Sequence, residues 1–598
     1  MKRFGYDVLI TKEDIKHASG KKKKGARAQN WPSTIKRILD FVAEQKLLLL
    51  VVLLLVVISS LLALVGPVMI GYLLDQFIAE RSFDGLNMWL YTLAAIYAVY
   101  SVASYLQNYW MVSIAQQTVL RIRTSLHAHF FKLPLRFFDK RKHGELMSRA
   151  TNDIDTISTT LNSAFIQVVS SVLTLIGTMA VMLYLSPLLT VITLIIVPLM
   201  FYGLRWITKR TSLLFKQQQA ALGDMNGLIE ESITGQQIVK SFSQEAEMLR
   251  QFDEKNERIR TVGYWSLVYS GFIPKVMNAM NNLSFAIVAL VGGIFAYNGQ
   301  ISIGAIVIFT EYARQFTRPL NDLANQFNTV LSAIAGAERV FLILDEKEDN
   351  IVGKDVQLTG RVTFSDVSFK YDVAAEKQTL SNVSFHIQAG QSVALIGQTG
   401  AGKTTIMQLL TGLYAKNDGS ILFDDVAIED ISKASLRGQM AFVLQDPFLF
   451  DMSIKNNIRY GKLDATDEEI VEASKKANAH DFIMKLPAQY DTVLSADGSQ
   501  ISQGQKQLLS IARAFVANPK ILLLDEATSS IDTVTELHIQ AALEKLMQGR
   551  TSFIIAHRLN TIRKVDYVIV LNEGHIIEQG ARTELLASDG VFARMMNK

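Results

Sequence analysis

Residues 47–74, LLLLVVLLLVVISSLLALVGPVMIGYLL, hold no charge over 28 positions, and few folds can accept such a run. It exceeds the ~20 residues an α-helix needs to cross a bilayer. Lipid cannot hydrogen-bond a backbone, so a segment placed there must pair its own N–H and C=O groups, as a helix does. Further apolar stretches at 88–115, 164–185, 187–206, 271–297 and 301–325 bring the expectation to about six spans. The chain has 598 residues, too many for one core, and its mean hydropathy of +0.20 comes almost wholly from before residue 330.

Basic residues set the expected orientation. The short connections at 78–87, 186–187 and 298–300 hold only Arg81, whereas the long ones hold Arg121, Arg123, Lys132, Arg136, Lys140, Arg141 and Lys142, then Lys209, Arg210, Lys216, Lys240 and Arg250. Positive-inside bias puts both termini and both long connections in the cytoplasm. Those connections stay helical in pattern, and their polar, glycine-marked middles at 137–155 and 230–245 read as tips that touch something there. Residues 1–30, with Lys21–Lys24, read as a polar tail with no cleavable signal, able to favour anionic headgroups if held near them. Trp31-Pro32 opens a stretch with Ile35, Ile38, Leu39 and Val42 on one helical face, an interfacial elbow helix in pattern. Within the spans, Glu311 is an ionisable group and so a functional suspect, although Arg314 one turn away offers a pairing partner. Tyr97, Tyr100, Tyr105, Tyr109 and Trp110 of the second span read first as helix packing or interface anchors.

The second half differs. Val393 to Ile396 form a short apolar strand that runs into Gly397-Gln398-Thr399-Gly400-Ala401-Gly402-Lys403-Thr404 and then a helix beginning near Thr405. This strand, loop and helix order is the context of a phosphate-binding loop. Its three glycines admit turns that a Cβ would block and bring amides close to a ligand. The helix aims its positive end at the same point. Lys403 supplies a point charge for the outer phosphates, and the Thr404 hydroxyl suits a Mg²⁺ shell. A nucleoside triphosphate ligand follows. Downstream, ILLLD ends a buried strand at Asp525, placed to hold Mg²⁺ through water, with Glu526 next to it placed to polarise an attacking water. Ile501-Ser502-Gln503-Gly504-Gln505 opens a helix with Ser502 at its cap. Short apolar strands alternating with helices predict a mainly parallel sheet.

With these motifs in this order, the chain resembles an ATP-binding cassette (ABC) exporter in its half-transporter form, over about residues 30–598. The resemblance implies an α-helical six-span transmembrane domain followed by an α/β P-loop ATPase domain. It divides the chain into a tail (1–30), a transmembrane domain (31–325), a linker (326–358) and a nucleotide-binding domain (359–598). It implies that Tyr371 stacks on adenine, that Gln445 touches Mg²⁺ and the coupling helices, that Asp532 sits at a dimer seam, and that His557 contacts the γ-phosphate. ATP and Mg²⁺ are the implied cofactors, and two such domains pair head to tail, with the signature helix of one closing on ATP held by the other.

Two departures qualify this picture. Gln503 stands where the family's LSGGQ has its first glycine, and Ala496 stands where the TxVGExG loop has glutamate. Both alter what this subunit offers its partner's nucleotide, while its own loop and Glu526 are intact. The pattern resembles the competent half of heterodimeric multidrug exporters, whose other half has a degenerate catalytic base. The expected activity is ATP-driven export of hydrophobic or amphiphilic compounds across a bacterial cytoplasmic membrane. A lipid or glycolipid flippase shares every motif, as does a peptide exporter of the type without a protease domain, and an ATP-gated channel or sensor is a further alternative. The net charge of +4 is small and says little about nucleic acid; no nucleic-acid partner is expected, and with no cysteine in the chain disulfides, thiolate metal sites and a cysteine nucleophile are excluded.

Overall fold

The computed structural model describes residues 31–79, 85–349, 353–372, 377–495, 500–525, 532–556 and 562–596. Contacts divide the described chain into two units. One runs to Phe131 and resumes over Gly144–Glu346; the other joins Lys132–His143 to the segment from Lys347 onward.

The first unit is helical. After α1 (Trp31–Val42) come α2 (Lys46–Leu73), α3 (Leu86–Phe130), α4 (Ile154–Leu185), α5 (Pro187–Thr234), α6 (Glu245–Tyr297) and α7 (Ile303–Leu344). These carry the six apolar stretches read from the sequence. At ~1.5 Å per residue the 45 residues of α3 reach about 68 Å, far more than a bilayer core. Neighbours pack in pairs, α2 along α3, α4 along α7 and α5 along α6. Pro67, Pro198, Pro274 and Pro319 lie inside helices, which transmembrane helices tolerate because neighbours and side chains re-satisfy the freed carbonyls. Ser186 and Ser302 cap α5 and α7, accepting from Leu189 N at 3.4 Å and Ala305 N at 3.0 Å.

Helix α1 shows how a sequence face can be shared. Thr34 and Val42 are buried while Trp31 and Leu39 stay exposed. Arg37, off the apolar face, pairs with Asp345 at 2.6 Å and lies 4.3 Å over the Phe341 ring. The stretches expected to form tips contain short helices, Leu135–Asp139, His143–Ser148 and Gln236–Ser241.

The second unit is two-layered. A sheet of order β10-β9-β3-β8-β7-β6 is parallel from β9 to β6. Its strands are β3 (Ser392–Ile396), β6 (Met440–Val443), β7 (Ile521–Asp525), β8 (Thr551–Ile555), β9 (Tyr567–Asn572) and the antiparallel β10 (His575–Ala581). Alternation puts Val393 and Leu395 on one face and Ala394 and Ile396 on the other, and both faces are buried. Against the first pack Phe364, Phe385 and helix α8 (Lys403–Leu410); against the second pack α10 (Gln503–Ala517) and α11 (Thr533–Met547), with α9 (Asp467–Lys476) outside them. Such double coverage explains why these strands read as unbroken apolar runs. Phe364 belongs to a second, antiparallel sheet of order β2-β1-β4-β5, formed by β1 (Val362–Phe369), β2 (Leu380–Ile387), β4 (Asp418–Phe423) and β5 (Val426–Ala427).

Candidate functional site

Strand β3 lies between β8 and β9, so its C-terminal end opens at the centre of the parallel sheet, where ligands of such sheets bind. There the chain turns through Gly397 at φ 154° and Gly402 at φ 103°. A Cβ on Gly397 would lie 2.3 Å from the Leu571 carbonyl oxygen, so the close approach of loop to β9 requires glycine. Gln398, Thr399 and Gly400 are exposed along the loop's outer side, as is Thr404 at the start of α8, whereas Ala401 and Thr405 are buried.

Lys403 is 6 % exposed and folds back over the loop, donating from Nζ to Gly397 O at 2.7 Å and Gln398 O at 3.0 Å. Burial pushes its ammonium below the ordinary lysine range, and the charge of Asp525 at the end of β7 acts the other way. Asp525 is therefore close enough to feel the loop lysine. In the nucleotide-free domain the folded pKa is below the unfolded one, so this group makes stability rise with pH between the two values. Phosphate would restore the charge and raise the pKa. ATP binding should then take up protons at alkaline pH, with affinity falling as pH climbs through the depressed value. Titration calorimetry in buffers of different ionisation enthalpy reads this directly, and observed heats that do not change with the buffer would count against it.

Tyr371 is half-buried, and its hydroxyl donates to Gln408 Oε1 and meets Thr405 Oγ1 at 3.0 Å, both on α8. Its ring sits edge-on to Phe369 and Tyr414, with centroids 4.9 and 5.1 Å away. Burial raises the pKa of its hydroxyl. Tyr414 in turn donates to the Asp139 carboxylate, and Leu135 packs on the same core. An aromatic chain thus joins the helix after the phosphate loop to the Lys132–His143 segment. Tyr414→Phe should remove one charge-assisted bond, worth about 1.5–3 kcal/mol, and speed amide exchange over residues 135–143 by roughly tenfold or more. Exchange unchanged in that segment would show the bond to be idle.

The signature stretch is built as a helix start. Ser502 caps α10, accepting from Gln505 N at 3.3 Å, while Gln505 Oε1 accepts from Ser502 N at 2.9 Å, a capping box. Gly504 is buried in the first turn. Gln503 donates from Nε2 to Asp446 Oδ1 at 3.3 Å, and Gln507 donates to Leu444 O at 3.2 Å. These two contacts bracket Gln445, which is itself exposed. The residue replacing a glycine is thus tied to the loop that carries Gln445. Asp532 caps α11, accepting from Thr535 N at 2.9 Å, and backbone N–H donors hold its carboxyl below the usual range. Glu526, His557 and Ala496 lie outside the described residues; the described strands end at Asp525 and Ile555, which are register partners.

The site as described therefore gathers Lys403, Thr404, Asp525 and Tyr371 around one glycine turn. Sequence reading passed over Gln408, Tyr414, Asp446 and Asp139. None belongs to a motif, and only their contacts reveal them.

Comparison with known proteins points to one family. A family model described as the ABC transporter transmembrane region matches residues 49–320, and one described as ABC transporter matches residues 380–529. The chain is 56 % identical over 576 residues to YfiC, an ABC transporter ATP-binding protein of Bacillus subtilis, covering 96 % of this chain and 95 % of the relative. It is 42 % identical over 509 residues to a fatty acid ABC transporter ATP-binding/permease protein of Mycobacterium bovis, covering 84 % and 80 %. It is 34 % identical over 572 residues to YgaD of Bacillus subtilis, named a putative multidrug export ATP-binding/permease protein, covering 94 % and 98 %.

Proposed function

The chain belongs to the ABC transporter family, and from that premise we propose that it is one half of a heterodimeric exporter of hydrophobic or amphiphilic compounds, both termini in the cytoplasm. It is a membrane protein that binds ATP and couples its hydrolysis to transport, and half-transporters of this kind dimerise. The observation that carries the unlike partner is the uneven wear of the motifs. Gly397 to Thr405, Asp525 and Glu526 are intact, but Gln503 and Ala496 depart from the family where a subunit serves its neighbour's nucleotide.

The cycle follows from the site. The amides of Gly397 to Thr405 and Lys403 bind the phosphates, and Tyr371 supports the base. The partner's signature helix closes over the same ATP, while Ser502 and Gly504 here close over the partner's. Glu526 takes a proton from water as its oxygen attacks the γ-phosphorus and the bond to the β-phosphate oxygen breaks; His557 and Asp532 steady the closed seam. Thr404, Gln445 and Asp525 are oxygen donors of the type Mg²⁺ prefers, and the exposed Thr404 hydroxyl and the nearness of Asp525 to Lys403 fit such an ion. When bound, it supplies charge neutralisation at the phosphates. The exposed Ile233, Ile238 and Phe242 around Gln236–Ser241 support docking of the second tip on a partner.

Two measurements test this reading. Co-purified with its mate in inside-out vesicles, the chain should concentrate a hydrophobic dye in an ATP-dependent way; ATP hydrolysis with no movement of solute or lipid overturns export. Purified alone, it should fail to give a stable dimer with two equally active sites.

A further inference from the structure

The membrane unit contains a cavity of about 710 Å³ lined by α2, α3, α4 and α7, within the range of about 300–1,000 Å³ usual for small-molecule sites. Its walls are rich in uncharged hydrogen-bonding groups, an unexpected lining among helices that cross lipid. Ser59 donates to Gln107 Oε1 at 2.9 Å, and Gln167 donates to Asp322 Oδ2 at 2.6 Å. Gln107 is 6 % exposed. Its amide nitrogen has no protein partner among the described residues, although the side chain borders the cavity. That nitrogen is not among the buried unpartnered atoms of the described residues, so its N–H groups are open to the cavity, free to donate to a ligand there.

Glu311 lines the same cavity. The pairing with Arg314 suggested by the sequence is not made: the Arg314 guanidinium lies 5.5 Å over the Phe285 ring. Among the described residues no cation lies within ion-pairing distance of Glu311, whose one bond is a long 3.4 Å contact from Gln315. Asp322 differs, since Arg318 lies 4.0 Å from it. Tyr97 and Tyr100 add aromatic walls.

The ligand chemistry follows from what these groups lack. Gln107 offers a donor, Glu311 an acceptor, and the serine hydroxyls both. A sugar matches this set, because each of its hydroxyls donates and accepts at once. A quaternary ammonium has no N–H to give and would leave the amides and hydroxyls unpaired. The charged lining is Glu311, Asp322 and Arg318, two carboxylates to one guanidinium that already faces Asp322 at 4.0 Å, so a fatty-acid carboxylate would face a net like charge. Resting on the export reading above, we propose that this cavity binds the uncharged polyhydroxylated headgroup of an amphiphile, a sugar carried on an apolar tail.

The test uses the assembled transporter in phosphatidylcholine nanodiscs, doped with lipids of identical acyl chains bearing a dihexosyl, a trimethylammonium or no added headgroup, or with free fatty acid. ATPase turnover should rise severalfold and saturably with the dihexosyl lipid alone. Glu311→Gln, which keeps shape, should raise the half-maximal mole fraction at least fivefold, as should Gln107→Leu. Native mass spectrometry counts retained dihexosyl lipid independently of turnover, and so reads the site even where a variant assembles poorly or hydrolyses nothing. Equal or better stimulation and retention with the trimethylammonium lipid overturns the proposal, as does dihexosyl retention indifferent to Glu311→Gln. Selective, Glu311-dependent retention without any lipid-stimulated turnover would instead sustain the site and remove the export reading.

Discussion

Glu526→Gln is expected to cut ATP turnover at this chain's own site by roughly 10²–10⁴-fold, the usual contribution of a general base, while ATP still binds. Strand β7 explains why the effect should be large. Its four buried residues Ile521 to Leu524 are held between β6 and β8, so Asp525, the neighbour of Glu526 in sequence, is carried on a rigid element. Glutamine keeps the size of the side chain but cannot accept a proton from the attacking water. Single-turnover hydrolysis alongside binding of a fluorescent ATP analogue separates the two steps. Turnover within threefold of the parent would remove Glu526 from the mechanism.

Gly397→Ala should be strongly damaging to the ATPase unit. The φ of 154° already disfavours an L-residue, and the new Cβ would meet backbone, the Leu571 carbonyl, at 2.3 Å. Neither partner can yield without moving β9. Gly400→Ala is the instructive contrast, with φ 83° but nothing within 4 Å of the added carbon. Backbone strain of this kind costs about 1–3 kcal/mol, so Gly400→Ala should weaken the domain by that amount, and Gly397→Ala by more than about 3 kcal/mol with loss of nucleotide binding. Chemical unfolding and analogue binding on both variants check the order; equal effects would mean that the collision is relieved at no cost.

The difference between what could be read in advance and what could not has a physical basis. The phosphate loop was legible because its constraint is local: glycines, strand and helix are adjacent in the chain. The Ser502 cap and the parallel sheet were legible for the same reason, one from spacing and one from apolar runs buried on both faces. Contacts distant in sequence were not. Nothing in Arg314 reveals that it turns to Phe285 and away from Glu311, and nothing in Gln503 reveals its bond to Asp446, 57 positions away. The antiparallel sheet was less visible, since the alternation of β1 breaks between Phe364 and Val367 and its pairing with β4 as well as β2 depends on register. Helix α7 runs on to Leu344, through the first part of the segment 326–358 assigned as linker.

Residues Lys132–His143 belong by contact to the ATPase unit although they precede the rest of it by some 200 positions. Leu135, half-buried, packs against that unit's core, and Asp139 receives the Tyr414 hydroxyl. During synthesis this piece emerges first and must wait for its docking site until most of the remaining chain has been made. A fragment starting at Lys347 would accordingly carry an unfilled notch, and final assembly of the motor is by necessity a late, long-range closure.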